Sequence, residues 1–272
     1  MKPAGGLRPW VPETIMAEYG TVTELPGINA HKEQLERLVQ RYCFASEFCK
    51  DKEVLEVACG GGIGLGYLAR TAKKVVGGDI DETILKYPRD YYKKRKNVEI
   101  KTLDAQKLQF NNNSFDVVIM YEAIYYLPNP EKFMEEARRV LRKNGTLIIC
   151  TVNKDWEGFN PSPHSFKYFS VPEIFSLYEK NGFKIKMFAG FSETSDTIKG
   201  KVISLIKQLA VKFHLIPKTM KGKEKLKRLF FGKLRPLPPE ISEGMAPYTA
   251  PIPISLDTAN NKYKVLYAVG YL

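Results

Sequence analysis

The chain has 272 residues, of which 44% are hydrophobic, and this length is enough for one large α/β domain or one domain with a cap. It contains no run of 18 apolar residues, so we expect no transmembrane helix, and its N-terminal residues lack the apolar region of a signal peptide. The net charge of +12 lies mostly in residues 199–235, which hold twelve Lys or Arg residues and one acid, Glu224. The chain is therefore a nearly neutral protein that carries one basic segment.

From residue 31 onward, apolar runs alternate with helical patterns of hydrophobic residues. The predicted strands are 53–58, 74–80, 97–104, 115–121, 146–152, 184–190 and 262–272, and the predicted helices are 31–49, 62–72, 82–95, 129–145 and 171–183. This alternation predicts a mostly parallel sheet with right-handed crossovers.

The sheet pattern divides the chain into four parts. Residues 1–50 are an N-terminal arm and helix, 51–190 the core, 191–261 a cap insertion, and 262–272 the final core strand. The insertion contains an amphipathic basic helix near 197–214. We interpret it either as a helix docked on the domain or as a surface for an anionic membrane or a phosphorylated, lipid-linked or glycan substrate. Nucleic acid is disfavoured, because no known nucleic-acid-binding module is present.

The four cysteines at positions 43, 49, 59 and 150 show no CxxC spacing. This pattern predicts free thiols in a reducing compartment and no metal site. We therefore expect a cytoplasmic protein, with peripheral membrane association through 199–235 as an additional property.

A glycine-rich turn, in "VLEVACGGGIGLGYLA" at 54–69, follows the first predicted core strand. Glycine allows close approach of the backbone to a ligand, and ligands of α/β sheets bind beyond the carboxyl ends of strands. A dinucleotide fingerprint needs a third small residue, but Leu65 or Tyr67 occupies that position when counting starts at Gly60 or Gly62. A GxGxxA pattern from Gly64 would start inside the predicted helix.

Glu56, near the end of the first core strand, favours a different ligand. A carboxylate is poorly placed beside a pyrophosphate, because like charges repel each other. It suits a ligand that carries an ammonium group and a sulfonium, which points to S-adenosylmethionine.

Four sequence stretches resemble, in order and spacing, the motifs of class I S-adenosylmethionine-dependent methyltransferases. In the first, "VLEVACGGGIG" matches (D/E)xGxGxG, with Ala58 in place of the usual first glycine. The others are "VVGGDI", "LDAQKLQF" and the stretch from "NSFDVVIMYEAIYYLP" to "GTLIICT". The resemblance implies a Rossmann-like fold with seven strands in a mostly parallel sheet, helices on both faces, and an antiparallel final strand.

The same resemblance implies a set of cofactor-binding residues. Asp79 would accept hydrogen bonds from the ribose hydroxyls and Ile80 would pack on the adenine. Asp104 would accept from the adenine amino group and Ala105 would donate from its backbone. Arg41 is a further candidate from its place in the helix before the first core strand, where it would meet the methionine carboxylate or form a surface ion pair. With Arg41 and Tyr121 added, the predicted cofactor-binding residues are Glu56, Ala58, Gly60, Gly62, Asp79, Ile80, Asp104, Ala105, Tyr121 and Arg41.

The acceptor side is expected near the ends of the fourth and fifth core strands, because in-line methyl transfer requires nucleophile and methyl group to be aligned. His164, in a loop after the fifth strand, is the candidate base if the acceptor is a hydroxyl; a surface histidine is the alternative. Tyr125 and Tyr126 are candidates for a wall or a hydrogen-bond donor, with core packing as the alternative. Glu122 faces the acceptor or starts a helix.

The leading hypothesis is a methyltransferase that acts on a small-molecule or glycan acceptor, with O-methylation favoured. A quinone or lipid methyltransferase is the alternative within the superfamily. A protein that binds S-adenosylmethionine without transferring its methyl group and a nicotinamide-dependent dehydrogenase are the alternatives outside it.

Overall fold

The computed structural model describes residues 23–162, 164–192, 234–256 and 258–272. Within these ranges the helices are α1 (Lys32–Ser46), α2 (Leu65–Leu68), α3 (Lys86–Tyr92), α4 (Pro130–Val140) and α5 (Val171–Lys180). The strands are β1 (Asn29–Ala30), β2 (Glu53–Val57), β3 (Lys74–Asp79), β4 (Val98–Thr102), β5 (Phe115–Tyr121), β6 (Leu141–Val152), β7 (Lys184–Ser192), β8 (Arg235–Pro236), β9 (Ile252–Ile254) and β10 (Tyr263–Tyr271).

The large sheet has the strand order β4-β3-β2-β5-β6-β10-β7-β9. The five neighbouring strands β4, β3, β2, β5 and β6 pair in parallel. Strand β10 lies between β6 and β7 and runs antiparallel to both. This arrangement confirms the predicted Rossmann-like, mostly parallel sheet with an antiparallel final strand. The predicted count of seven strands is wrong for this sheet, because β9 pairs with the edge of β7. Pro253 made this strand hard to predict from the sequence, because proline cannot donate a hydrogen bond to a neighbouring strand. It is tolerated here because β9 is an edge strand.

Helices cover both faces of the sheet, as predicted. The core on one face joins the sheet to α1 and α2 through buried side chains such as Leu38 and Leu68. The core on the other face joins it to α4 and α5 through side chains such as Phe133 and Ile174. Strand β2 is the middle one of the five parallel strands, and its residues 54–57 are buried. Its carboxyl end therefore lies between the helices of the two faces.

All five helices are shorter than the sequence predicts, and for two of them the structure shows the reason. The helix expected at 62–72 is only α2, because Gly62 adopts a φ of +68° and holds the chain in a turn before it. The helix expected at 129–145 ends at Val140. Asn144, with a φ of +64°, lies instead within β6, where the pairing register between β5 and β6 shifts.

The described part of the predicted cap insertion, residues 234–256, lies against the core. Leu237 and Ile241 are buried, and the backbone N–H of Ile241 donates to the carbonyl of Ile63 over 3.0 Å. Residues 193–233 lie outside the described residues, and with them the predicted basic helix at 197–214. In the described ranges, every helix is too short or too polar to cross a membrane.

Candidate active site

A cavity of about 910 Å³ opens at the carboxyl ends of β2, β3 and β5. This is the edge at which parallel α/β sheets bind ligands. The cavity brings together most of the predicted site residues, namely Arg41, Glu56, Ala58, Gly60, Asp79, Ile80, Asp104, Ala105, Tyr121, Tyr125 and Tyr126. Gly62 and His164 are the two predicted residues that do not line it.

Glu56 is buried at the end of β2. The hydroxyl of Tyr42 donates to its Oε1 over 2.6 Å, whereas its Oε2 has no hydrogen-bond partner. Burial raises the pKa of Glu56 to about 7, against the opposing effects of the Tyr42 hydrogen bond and the charge of Arg41. A buried carboxylate with an unfilled acceptor atom is stabilised by a cationic ligand.

The glycine turn is bound to Asp79, at the end of β3. The backbone N–H of Gly60 donates to Asp79 Oδ2 over 2.9 Å, and the N–H of Asp81 donates to Oδ1 over 3.0 Å. Ala58 and Gly60 both adopt left-handed backbone conformations, with φ values of +58° and +55°. The turn therefore presents backbone to the cavity at Ala58 and Gly60.

Gly62 has a different place in this turn. A Cβ atom there would lie 2.6 Å from Cβ of Pro88 and 3.0 Å from Cδ1 of Leu65. The absence of a side chain at Gly62 thus lets the turn pack against α3, and the structure places this residue outside the cavity wall.

Asp104 and Ala105 follow β4 and extend the acidic side of the cavity. Asp104 Oδ1 accepts a hydrogen bond from the backbone N–H of Gln106 over 2.8 Å, which orients its carboxylate. Ile80, directly after β3, lies in the same wall. Asp79, Ile80 and Asp104 thus lie at the carboxyl ends of the neighbouring parallel strands β3 and β4.

Arg41 projects from α1 into the cavity with a buried side chain. Its Nη2 donates to Glu24 Oε2 over 2.5 Å, while its Nε has no partner. The ion pair that we considered as an alternative for Arg41 is therefore present, but it is buried and not on the surface. The hydroxyl of Tyr121 donates to the backbone carbonyl of Arg41 over 2.9 Å and so fixes this part of α1 against β5.

Glu122 directly follows β5 and lies in the cavity wall. Its φ of +51° is a strained conformation for a residue with a side chain, and such strain is often retained at functional sites. The hydroxyl of Tyr125 donates to Glu122 Oε2 over 3.1 Å. Burial raises the pKa of Glu122 above its usual range, and the charges of Arg41 and Arg37 oppose that shift.

Tyr125 and Tyr126 form an aromatic wall beside Glu122. Their rings pack edge to face at 4.6 Å, and the ring of Tyr125 stacks on Tyr168 at the same distance. Burial raises the pKa of Tyr125 well above its ordinary value, so this side chain stays protonated and acts as a donor.

The loop that carries His164 contacts the cavity through another residue. Phe166 lines the cavity, and its backbone N–H donates to the carbonyl of Tyr125 over 2.8 Å. His164 is half-buried, and its backbone N–H lies 3.4 Å from Ser162 Oγ. The structure therefore does not bring His164 to the wall that holds the other predicted residues.

The sequence reasoning missed a charged group in the cavity wall, formed by Glu33, Arg37 and Lys264. Glu33 Oε1 accepts from Arg37 Nη2 over 2.6 Å, and both of its oxygens lie 3.2 Å from Lys264 Nζ. The Lys264 ammonium also lies 5.2 Å from the ring centre of Trp156. Helical spacing could have found part of this group, because Arg37 lies one turn before Arg41 on the same face of α1.

Comparisons with known proteins point to one family. A family model for a methyltransferase domain matches residues 55–149. A probable S-adenosylmethionine-dependent methyltransferase of Mycolicibacterium smegmatis is 28% identical over 69% of this chain and 76% of its own length. The ubiquinone biosynthesis O-methyltransferase of Coxiella burnetii is 22% identical over 61% of this chain and 69% of its own length. The crystal structure of a Thermotoga maritima S-adenosylmethionine-dependent methyltransferase covers 95% of this chain and is covered over 97% of its own, with 16% identity and a TM-score of 0.56, which shows the shared fold.

The chain belongs to the class I S-adenosylmethionine-dependent methyltransferase superfamily. This methyltransferase uses S-adenosylmethionine as its cofactor, and the cavity fits that group. The unpartnered Oε2 of buried Glu56 suits a cation, and the turn at Gly60 leaves no side chain between backbone and ligand. A Cβ atom at Gly60 would lie 2.8 Å from Cγ2 of Thr23, so a larger residue would displace the segment that covers the turn.

Proposed function

We propose that this methyltransferase transfers the methyl group of S-adenosylmethionine to a hydroxyl group of a small-molecule acceptor, with Glu122 as the general base. The observation that carries this proposal is the position of Glu122. It is a half-buried carboxylate whose pKa lies above its usual range, and it shares one cavity with Glu56 and Asp79. A base with a pKa moved toward neutrality is suited to remove a proton from a hydroxyl near neutral pH.

The cofactor end of the cavity supports one orientation of the donor. Glu56 binds the ammonium group, and Arg41 binds the methionine carboxylate. Asp79 accepts from the ribose hydroxyls, while Ile80 and Asp104 contact the adenine, which Ala105 also meets through its backbone. Ala58 and Gly60 supply the backbone of the turn, and Tyr121 holds α1 in place. Each assignment matches the charge and burial of the side chain concerned.

The acceptor end supports the transfer step. Glu122 would take the proton of the acceptor hydroxyl. S-adenosylmethionine would supply the methyl group to the hydroxyl oxygen and would leave as the neutral thioether, which keeps the electron pair of the broken bond from carbon to sulfur. Tyr125 orients Glu122 through its hydrogen bond, and the rings of Tyr125, Tyr126 and Phe166 exclude water around the acceptor.

Two acceptor classes suit the aromatic wall. The ubiquinone biosynthesis enzyme of Coxiella burnetii is named an O-methyltransferase, which supports a quinol or another phenol. A glycan hydroxyl also suits a cavity with aromatic faces. We place a small phenol first, because the cavity has aromatic side chains on several walls and a volume in the range of small-molecule sites.

The proposal is tested by incubating the purified protein with methyl-labelled S-adenosylmethionine and a panel of catechols, quinols, neutral sugars and uronic acids. We expect a labelled product whose new methyl group is on oxygen, as identified by mass spectrometry. Binding of the donor without transfer to any panel member would favour a protein that binds S-adenosylmethionine for another purpose. A product methylated on nitrogen or carbon would remove the role given to Glu122.

The basic segment at 199–235 supports a second property, peripheral binding to an anionic membrane from the cytoplasmic side. Each lysine near such a surface contributes about 1 kcal/mol, so a net charge of this size favours binding. Charge reversal at Lys221, Lys223 and Lys225 should weaken sedimentation with vesicles of anionic lipid. The control reverses Lys93, Lys94 and Lys96, which changes the total charge equally at another place. Equal losses in both variants, or none in either, would remove this property.

A further inference from the structure

The charged group at the acceptor end of the cavity has more positive than negative charge. Among the described residues, Glu33 is the carboxylate that pairs with both Arg37 and Lys264, so these three residues carry a net charge of about +1. Their side chains are only partly exposed, at 35% for Glu33, 27% for Arg37 and 15% for Lys264. A partly buried net charge is stabilised by a ligand of opposite charge.

Two hydrogen-bond donors in the same wall are unfilled. Among the described residues, Arg37 Nε and Trp156 Nε1 are buried atoms without a hydrogen-bond partner. A buried donor without a hydrogen bond costs free energy. Native structures rarely retain such a group unless a ligand or a water molecule accepts its hydrogen bond. Both residues line the cavity, and Lys264 links them, because it lies 5.2 Å from the ring centre of Trp156 and pairs with the same Glu33 carboxylate as Arg37.

Aromatic side chains beside this charged group provide a surface for a ring of the ligand. The side chains of Trp156, Phe166, Tyr125 and Tyr126 line the same cavity, and the backbone N–H of Phe166 donates to the carbonyl of Tyr125. Aromatic faces pack on planar rings and on the apolar faces of sugars. A net charge close to +1 matches a monoanion such as a carboxylate better than a phosphate, which carries nearly two charges.

We propose that the acceptor is a ring compound with a carboxylate, and that Arg37 and Lys264 bind this carboxylate together with the indole N–H of Trp156. This inference rests on the proposed function for the acceptor hydroxyl, which the same ring presents to Glu122. Arg37 is thereby a specificity-determining residue, because a planar guanidinium pairs with a carboxylate through two parallel hydrogen bonds.

The test compares acids with uncharged analogues of the same shape. Binding of 3,4-dihydroxybenzoate and 3,4-dihydroxybenzamide is measured by calorimetry, and so is binding of glucuronate and glucose, all in the presence of saturating S-adenosylhomocysteine. That product carries the same methionine carboxylate as the donor, so it occupies the cofactor end. We expect at least one acid to bind about tenfold or more tightly than its neutral partner. The pair that shows the preference tells a phenolic from a sugar acid.

Three variants assign the preference to this group. Arg37→Gln should reduce the preference for the acid about tenfold and leave binding of the neutral analogue nearly unchanged. Glu33→Gln should act in the opposite direction and strengthen binding of the acid, because it removes the competing carboxylate. Arg70→Gln is the matched control: it removes the same charge from an exposed ion pair with Glu243 outside the cavity, so the preference should remain.

The possible results separate this inference from the proposed function. An acid that binds as described but receives no methyl group would contradict the proposed function and leave the carboxylate site standing. Equal binding of acids and neutral analogues, or no binding of either acid, would overturn the inference. So would an Arg37→Gln variant that loses S-adenosylhomocysteine as strongly as the acid, because Arg37 would then serve the cofactor.

Discussion

The two ends of the cavity differ in how far apart their residues lie in the sequence. At the cofactor end, Glu56, Gly60, Asp79 and Asp104 lie in or just after the carboxyl ends of three strands that are consecutive in the sequence. At the acceptor end, the group around Glu33 comes from α1 and from β10, 231 residues further on. The cofactor end is held by backbone hydrogen bonds to carboxylates, and the acceptor end by contacts between side chains. Changes at the two ends should therefore have separable effects on donor binding and on transfer.

The largest effect is expected for Glu122→Gln. The variant keeps the shape of the side chain and loses the base, so kcat for transfer to a hydroxyl should fall by about 10² to 10⁴. In the wild type, kcat should rise as pH increases through the raised pKa of Glu122, because only the ionised carboxylate accepts a proton. This rise should be absent in the variant.

Steady-state kinetics and calorimetry check this prediction together. Binding of S-adenosylhomocysteine should stay within about threefold of the wild type, because Glu122 belongs to the acceptor end. Tyr125→Phe, which removes only the hydrogen bond to Glu122, should show a smaller loss of kcat and a shifted pH profile. A Glu122→Gln variant with normal kcat would show that Glu122 is not the base. The distinction between a donor-binding end and a transfer end would then lose its support.

The next largest effect is expected for Glu56 and the pH dependence of the free energy of unfolding. Its pKa is about 7 in the folded protein and about 4.5 when unfolded, so between these values the folded state retains a proton that the unfolded chain has lost. The free energy of unfolding should therefore fall as pH rises from about 4.5 to 7, by up to about 3 kcal/mol for this group. Glu56→Gln should abolish that part of the slope.

Denaturant titrations at several pH values, without cofactor, measure this slope. Glu47→Gln, at an exposed position on the same side of the sheet, is the control and should keep the wild-type slope. S-adenosylhomocysteine should bind Glu56→Gln more weakly than the wild type at pH 8, because its ammonium group loses a charged partner. Identical slopes in wild type and Glu56→Gln would show that Glu56 is ionised throughout.

The sequence predicted the cofactor end well and the acceptor end poorly, for physical reasons. Spacing along a strand and its following turn determines where Glu56 and Gly60 lie, since consecutive residues follow one another in space. The pairing of β10 with β6 and β7 brings Lys264 to Glu33, and no local pattern encodes that register. His164 shows the same difficulty in a loop, where contacts to the core place Phe166 at the cavity instead.

A moderate effect is expected for Asp79→Ala. The variant removes a charged acceptor of the ribose hydroxyls and also the acceptor of the Gly60 N–H, so binding of S-adenosylmethionine should weaken by about 1–3 kcal/mol. Asp90→Ala, on α3 outside this cavity, should bind normally. Calorimetry with both variants decides the point, and unchanged affinity in Asp79→Ala would contradict the assignment of the cofactor end.

The smallest effect is expected for Ala58→Gly, at the position where this chain departs from the superfamily motif. Ala58 has a φ of +58°, which costs a residue with a side chain about 1–2 kcal/mol, whereas glycine adopts this conformation freely. Glycine also gains entropy in the unfolded chain, so the net gain in unfolding free energy should be about 0.5–1 kcal/mol. Ala45→Gly, at a buried position in the last turn of α1, should instead lose stability. If Ala58→Gly is destabilised as much as Ala45→Gly, the alanine side chain contributes packing that outweighs the strain, and the departure at Ala58 stabilises the turn.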